Sequence, residues 1–296
     1  MNGVTPEHLT FSEYQLLSSE TDLEPSESDP VIPLLGLAGE VGTLISEFKK
    51  MRRPDGVRYS GFEESVTTEM GDVLWYLAAL ARRMGVELGE VATQNLTKTR
   101  SRWLLDSNPT PAFFDKDLQA DERLPRQFEV EFATFIGEGR TMSQMKIRGT
   151  EIGDPIDDNS HEADNYRFHD VFHLSYAAVL GWSPILRSLL RRKRKSVPEL
   201  DHDEDGARAG ITEEAAAALV FNLARSYDFF DGSDQVDGSI LNAVKAVTSH
   251  LEVASRTHRE WQEAILKGFE VWRQVSEQQG GLVAVDLEAR TLSVVT

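Results

Sequence analysis

The densest apolar periodicity lies in the first hundred residues. Leu34, Leu37, Ala38, Val41, Leu44, Ile45 and Phe48 recur at helical spacing and predict a helix over Leu34–Met51. Lys49, Lys50, Arg52 and Arg53 gather at its C-terminus, where positive charge suits the helix dipole, and Pro54-Asp55-Gly56 ends it. A second helix, Phe62–Met84, carries a wide stripe of Val66, Met70, Val73, Leu74, Leu77, Leu80 and Ala81. Ser60 and Glu63 suggest a capping box at its start, and Gly85 suits its end. A short helix over Leu9–Leu17, with Thr10 as N-cap, precedes the pair, and a third long helix over Leu88–Leu104 follows. Ser18–Pro30 is polar and acidic with two prolines, and reads as a mobile loop.

The second half is less regular. Arg126–Glu138 reads as helical, and Met145–Pro155 as holding a short strand between Gly149, Gly153 and Pro155. Asn165–Gly181 is a long apolar helical stretch, and Leu186–Lys195 continues helically to Arg191-Arg192-Lys193-Arg194-Lys195. After the acidic loop Leu200–Gly210, Thr212 is the expected cap of a helix over Glu213–Phe229, and Ile240–Gln278 is mostly helical. Leu282–Val295 alternates around Glu288-Ala289-Arg290, a β-hairpin pattern. With Asn108-Pro109-Thr110-Pro111 as boundary, the expected organisation is a helical bundle over 1–107, a linker over 108–125, and a mainly helical domain with a small β-hairpin over 126–296. The fold class is thus mainly α.

Composition narrows the chemistry. Among 296 residues there are 49 acidic and 31 basic side chains, a formal charge of −18, and no cysteine, so disulfides, thiolate metal sites and cysteine nucleophiles are excluded. A broadly acidic chain is a poor counterion-release binder of nucleic acid. No run approaches the ~18 apolar residues of a membrane span, and Met1–Thr10 lacks a basic-then-apolar leader pattern, so no membrane association and a cytoplasmic setting are expected. Phosphate ligands stay open, because carboxylate-bound Mg²⁺ reverses the local sign.

Glu40, Glu47, Glu69 and Asp72 lie on the two most apolar helices. Glu40 and Glu47 are about two turns apart on one face, and Glu69 and Asp72 are neighbours on another. Carboxylates near a helix–helix interface are costly unless paired or metal-bound, and oxygen-only ligation suits Mg²⁺ or Mn²⁺. The competing reading is that they are ordinary solvated helix residues.

The runs Leu35-Gly36-Leu37-Ala38-Gly39-Glu40-Val41-Gly42, Glu69-Met70-Gly71-Asp72-Val73-Leu74-Trp75-Tyr76-Leu77 and Asn95-Leu96-Thr97-Lys98-Thr99-Arg100-Ser101-Arg102, with Phe11-Ser12-Glu13-Tyr14-Gln15 ahead of them, resemble the MazG-type all-α NTP pyrophosphatases over roughly residues 8–105. That family's pattern is an ExxE helix, a loop, an ExxD helix and a basic fourth helix. The resemblance implies hydrolysis of a nucleoside triphosphate between its α and β phosphates, giving a monophosphate and pyrophosphate, with Mg²⁺ as cofactor. It implies Glu40, Glu69 and Asp72 as metal ligands and Asn95, Lys98 and Arg102 as phosphate contacts, the equal alternative for the last three being a solvated basic face, with the loop Arg52–Gly61 near the mouth. Tyr76 could pack on the base, or be an ordinary core tyrosine. The resemblance also implies a homodimer or higher oligomer. One position departs: Thr43 stands where ExxE places its second Glu. Glu47, one turn on, is the available substitute. The alternative is a catalytically impaired nucleotide-binding protein.

In the second half, His169-Asp170-Val171-Phe172-His173 is close to the H-E-x-x-H zinc pattern but lacks a third ligand at the usual spacing. An HD-type phosphohydrolase, drawing in His161, has an incomplete ligand order. Asp170–Gly181 also resembles Asp72–Leu80, with Arg167 where Glu69 stands, as in a degenerate second copy. Glu162, His169, Asp170 and Glu213 or Glu214 could converge as a second polar site, and the plainer reading of the histidines is satisfied polar groups on a buried helix. Arg191–Lys195 is a basic cluster faced by the acidic Glu199–Asp205, which makes mutual screening a better reading than nucleic-acid binding.

Overall fold

The computed structural model describes residues 8–23, 29–53, 59–103 (backbone alone from 101) and 112–295. The chain is mainly α and divides into two units, one through Arg100 and one from Ser101.

The first unit is helical throughout its described residues. Helices α1 (Phe11–Leu17), α2 (Val31–Met51), α3 (Phe62–Arg83) and α4 (Leu88–Trp103) follow in order. Thr10 and Glu13 form the reciprocal capping box of α1. The box expected at Ser60 and Glu63 is not formed: α3 starts behind Gly61, which has no side chain to cap with. Helices α2 and α3 run antiparallel. Phe48, late in α2, meets Phe62 at the start of α3 edge-to-face at 5.1 Å. At the other end, a Cβ on Gly36 would lie 2.1 Å from the Tyr76 ring, so glycine is what lets that ring lie against α2. Ser18–Thr21 is not loose. It forms a 3-10 turn, after which Asp22 accepts from Arg82 and Arg83 of α3 and Thr21 accepts from the Trp75 indole. The core is thin: Ala78, Ala81 and Leu88 with Tyr14 against them. Val31, Ile32, Leu34, Leu35, Val41, Ile45, Phe48 and Met51 of α2 remain exposed. By length and composition α2 does reach the threshold of a membrane span, because glycine and alanine separate its apolar residues without adding charge. It also carries Glu40 and Glu47, both engaged inside the unit.

The second unit is built around a five-stranded antiparallel sheet of order β3-β2-β1-β4-β5, larger than the expected hairpin. Its strands are β1 (Gln127–Gly137), β2 (Arg140–Ile147), β3 (Thr150–Ile156), β4 (Gly281–Asp286) and β5 (Thr291–Val294). The expected hairpin is β4–β5. The expected helix over Arg126–Glu138 is instead β1. Its Phe128, Val130 and Phe132 alternate with Glu129 and Glu131, the period of a half-buried strand, and β1 pairs with both β2 and β4. The stretch expected to link the units packs onto the second one from Ala112. Asp115 there is buried and bonds the Leu124 amide, Arg126 and Arg187.

Five helices cover the rest: α5 (Asp170–Ser175), α6 (Pro184–Leu189), α7 (Ala207–Ala224), α8 (Gly238–Val247) and α9 (His258–Gln278). A π turn, Tyr176–Leu180, extends α5 until Gly181 closes it in the left-handed region. Helix α9 crosses α5 so closely that Ser175 Oγ donates to the Ala264 carbonyl at 2.5 Å and a Cβ on Gly268 would stand 3.0 Å from the Phe172 ring. Phe172, Phe221, Phe269 and Trp272 pack there, each burial contributing about 1.5–3 kcal/mol. Thr212 is not a cap, since α7 begins at Ala207 and Thr212 Oγ1 donates back to the Arg208 carbonyl. Glu213 and Glu214 therefore sit within α7. The basic run is also broken up: Arg194 is buried, bonded to Asp205 and Glu252, while Arg192 donates to the Ala120 carbonyl. A unit containing this sheet is no second copy of the helical bundle.

Gly280 joins α9 to β4 at φ +130°, and a Cβ there would lie 2.5 Å from the Phe132 carbonyl oxygen. Gly280→Ala is expected to destabilise the second unit by about 1–3 kcal/mol, seen as a lower urea midpoint with the slope unchanged. An unchanged midpoint contradicts it.

Candidate functional site

The first unit brings carboxylates of α2 and α3 face to face. Glu40 comes from the middle of α2, and Glu69 and Asp72 lie one turn apart on α3. One oxygen from each falls within 4.8 Å of the others. Antiparallel pairing with Phe48 over Phe62 and Gly36 under Tyr76 fixes this register. Like charges so close oppose ionisation: partial burial, then Glu40, Asp72 and Glu47, push the Glu69 carboxyl above its ordinary value. A cation relieves that repulsion. Three carboxylates and no nitrogen or sulfur donor make a hard-cation donor set, which fits Mg²⁺ or Mn²⁺.

Glu47 is near but outside the trio. It is buried, it bonds Lys50 on its own helix, and it accepts from the Tyr59 hydroxyl, whose oxygen lies 2.8 Å from Ser65 Oγ and can accept the serine proton. The Lys50 and Tyr59 bonds hold its carboxyl below the ordinary range. Tyr59, in the turn before α3, had no signal in the sequence, because its reach to Glu47 spans a loop. Thr43 is exposed and its hydroxyl donates to the Gly39 carbonyl of its own helix.

Tyr76 follows Asp72 by one turn and packs edge-to-face on Trp75 at 5.1 Å. Both rings line a cavity of about 260 Å³ with Ile32, Pro33, Thr21 and Arg83. Asn95 and Lys98 are exposed on α4. Arg102 belongs to α4, but its side chain, the centre of the loop Arg52–Gly61 and Asn108-Pro109-Thr110-Pro111 lie outside the described residues.

The second unit gathers a separate group. His169, Asp170 and His173 at the start of α5 bring their ligand atoms within 4.8 Å of one another. Glu162 is exposed.

Family comparison covers both units. Residues 33–103 match the MazG nucleotide pyrophosphohydrolase domain, and residues 109–296 match the MazG C-terminal domain. The chain is 36% identical over 96 residues to the Gene 37 protein of Mycobacterium phage L5, an alignment spanning 30% of this chain and 84% of that protein. No solved structure matches the chain significantly.

Proposed function

The chain belongs to the MazG family, and from that premise we infer that it is a nucleoside triphosphate pyrophosphohydrolase, cleaving (d)NTP between the α and β phosphates to (d)NMP and pyrophosphate. The observation that carries this reading is the convergence of Glu40, Glu69 and Asp72. These three are the ligands for Mg²⁺, with Mn²⁺ as a substitute. When bound, the ion supplies positive charge against the triphosphate oxygens. The chain's own groups do the rest. The carboxylates of α2 and α3 fix where the phosphates approach. Asn95, Lys98 and Arg102 on α4 supply donors for phosphate oxygens. Trp75 and Tyr76 offer an aromatic wall to the base, with the cavity beside them as its seat. Glu47, clamped by Lys50 and Tyr59, shapes the site from outside and stands in reserve as a further ligand.

The exposed apolar face of α2 supports a homodimer or higher oligomer, because a unit with so small a core gains most by burying that face against another copy. Sedimentation of the full chain reads this directly; a monomer at micromolar concentration contradicts it. The cytoplasm remains the proposed setting.

Pyrophosphate release from a panel of NTPs and dNTPs with Mg²⁺ tests the reaction. Release from none of them, with nucleotide binding retained, favours the second reading, a binding protein impaired at Thr43. Thr43 points the same experiment at its cause. Thr43→Glu restores the second carboxylate of the ExxE turn on an exposed helical site. It is expected to lower the Mg²⁺ concentration for half-maximal activity about tenfold, the effect of about 1.4 kcal/mol of added ion binding. A Mg²⁺ dependence identical to the parent chain removes Thr43 from the argument.

A further inference from the structure

We propose that the second unit holds a first-row transition-metal dication, such as Zn²⁺, between His169, Asp170 and His173 of the α5 start and Glu214 of α7. This site is separate from the carboxylate trio and does not depend on the proposed hydrolase activity.

Ring tautomers carry the argument. His169 Nδ1 lies 3.0 Å from the Tyr166 carbonyl oxygen, which can only accept, so Nδ1 bears the proton and the neutral ring presents its lone pair at Nε2. The ring is held flat on Tyr166, with centroids 4.5 Å apart and planes 5° from parallel. His173 Nδ1 lies 2.8 Å from Glu213 Oε1. That carboxylate is fully buried and fixed by three donors, since it also accepts from Ser183 Oγ at 2.6 Å and from the Ile185 amide at 2.8 Å. Two histidines, each with Nδ1 bound to a carbonyl or carboxylate, are oriented as metal-ligating histidines are, with Nε2 free to bind.

Both Nε2 atoms face one gap. His173 is 1% exposed, yet its Nε2 makes no hydrogen bond of good geometry, its Glu214 neighbour lying at ion-pair range. A buried nitrogen left so is costly unless something fills the gap. Glu214 closes the far side, its carboxylate oxygens 3.4 Å from His173 Nε2 and 3.7 Å from His169 Nε2. The ligand atoms of His169, Asp170 and His173 lie within 4.8 Å of one another, close enough for one ion to reach all three. Two imidazoles and two carboxylates form a mixed nitrogen–oxygen set. It favours Zn²⁺, Co²⁺ or Ni²⁺ over Mg²⁺, the reverse of the oxygen-only set in the first unit, and two carboxylates balance the dication's charge. Glu214, with 43% of its side chain exposed, leaves a way in from solvent. An ion there ties α5 to α7 at the edge of the core.

The test uses the full chain with Glu69→Gln, which weakens the first unit's own cation site. After treatment with a chelator, it is titrated with Co²⁺ and with Zn²⁺. The expected result is one ion per chain, visible Co²⁺ absorption of the tetrahedral type, and a melting temperature raised by several degrees with Zn²⁺ but not with Mg²⁺. Adding His169→Ala or Glu214→Ala should weaken Co²⁺ binding at least tenfold. Glu214 has 43% of its side chain exposed and His169 10%, against 2% for His173, so they carry the test even if His173→Ala does not fold. The competing occupant of the gap is a proton on His173, paired with Glu213 and Glu214. Absence of Co²⁺ and Zn²⁺ binding, binding unchanged in both variants, or a His173 ring that stays doubly protonated by NMR under excess Zn²⁺ overturns the proposal.

Discussion

Glu69→Gln is expected to lower pyrophosphate release by about 10²–10³-fold, the usual loss when one preorganised electrostatic group is removed from a site where charge develops. The substitution keeps shape and takes away one negative charge from a trio whose oxygens lie within 4.8 Å. Its effect on the cation-free protein runs the other way. Glu69 is pushed above its ordinary value by partial burial and by Glu40, Asp72 and Glu47, so its charge opposes folding of the empty site. The melting temperature without divalent ion should therefore hold or rise, while the rise brought by Mg²⁺ shrinks. Activity and stability moving in opposite directions is the signature of a ligand. A merely structural carboxylate would lose both together. Activity within tenfold of the parent chain sinks the assignment.

Asp205→Ala is the second large effect, on stability. Asp205 is fully buried and accepts from the Arg194 amide at 2.8 Å, from Arg194 Nε at 3.0 Å and from Arg194 Nη2 at 2.8 Å. Arg187, also buried, stands 3.8 Å away and leans on Asp115 at 2.9 Å. Removing Asp205 leaves two buried guanidinium groups short of counter-charge, a change that costs about 3–5 kcal/mol. Arg194 retains Glu252 at 2.9 Å, which sets the loss toward the lower end. Asp203, two residues earlier with 69% of its side chain exposed, is the control, and Asp203→Ala should cost at most about 0.5 kcal/mol. Urea unfolding of both variants, followed by circular dichroism, decides. Equal midpoints would show that the buried network contributes nothing net.

What could be read from the sequence follows from how local each signal is. Helices α2 and α3 were legible because their apolar residues recur every turn, and with them the register that lets Glu40, Glu69 and Asp72 meet. The second unit was harder, since its decisive partners are remote. Phe128, Val130 and Phe132 do alternate, but Ala133-Thr134-Phe135-Ile136 breaks the pattern, and pairing with β2 on one side and with Gly281–Asp286 on the other makes β1 a strand. Thr212 followed by Glu213 imitates a helix start. The true start at Ala207 moves Glu213 and Glu214 to the middle of a buried helix, opposite His173. Arg191–Lys195 looks like one basic patch, and burial of Arg194 against Asp205 shows how charge runs mislead when one member points inward. Glu47 lies on the face its spacing dictates, but the Tyr59 clamp depends on the fold of a loop.

Strand order has a consequence for synthesis. β1 leaves the ribosome before every helix of the second unit, and β4 after all of them, yet the two are hydrogen-bonded neighbours with Val130 facing Val283. In between, β1 can pair with β2, and β2 with β3, which follow at once, but the other edge of β1 stays bare. A three-stranded meander with an open inner edge and unburied Phe132 is the form most prone to capture a strand from another chain. The growing polypeptide thus carries an adhesive edge for most of its translation. Chains shortened anywhere before Gly281 keep that edge permanently and become substrates for chaperones and proteases, however well their helices form.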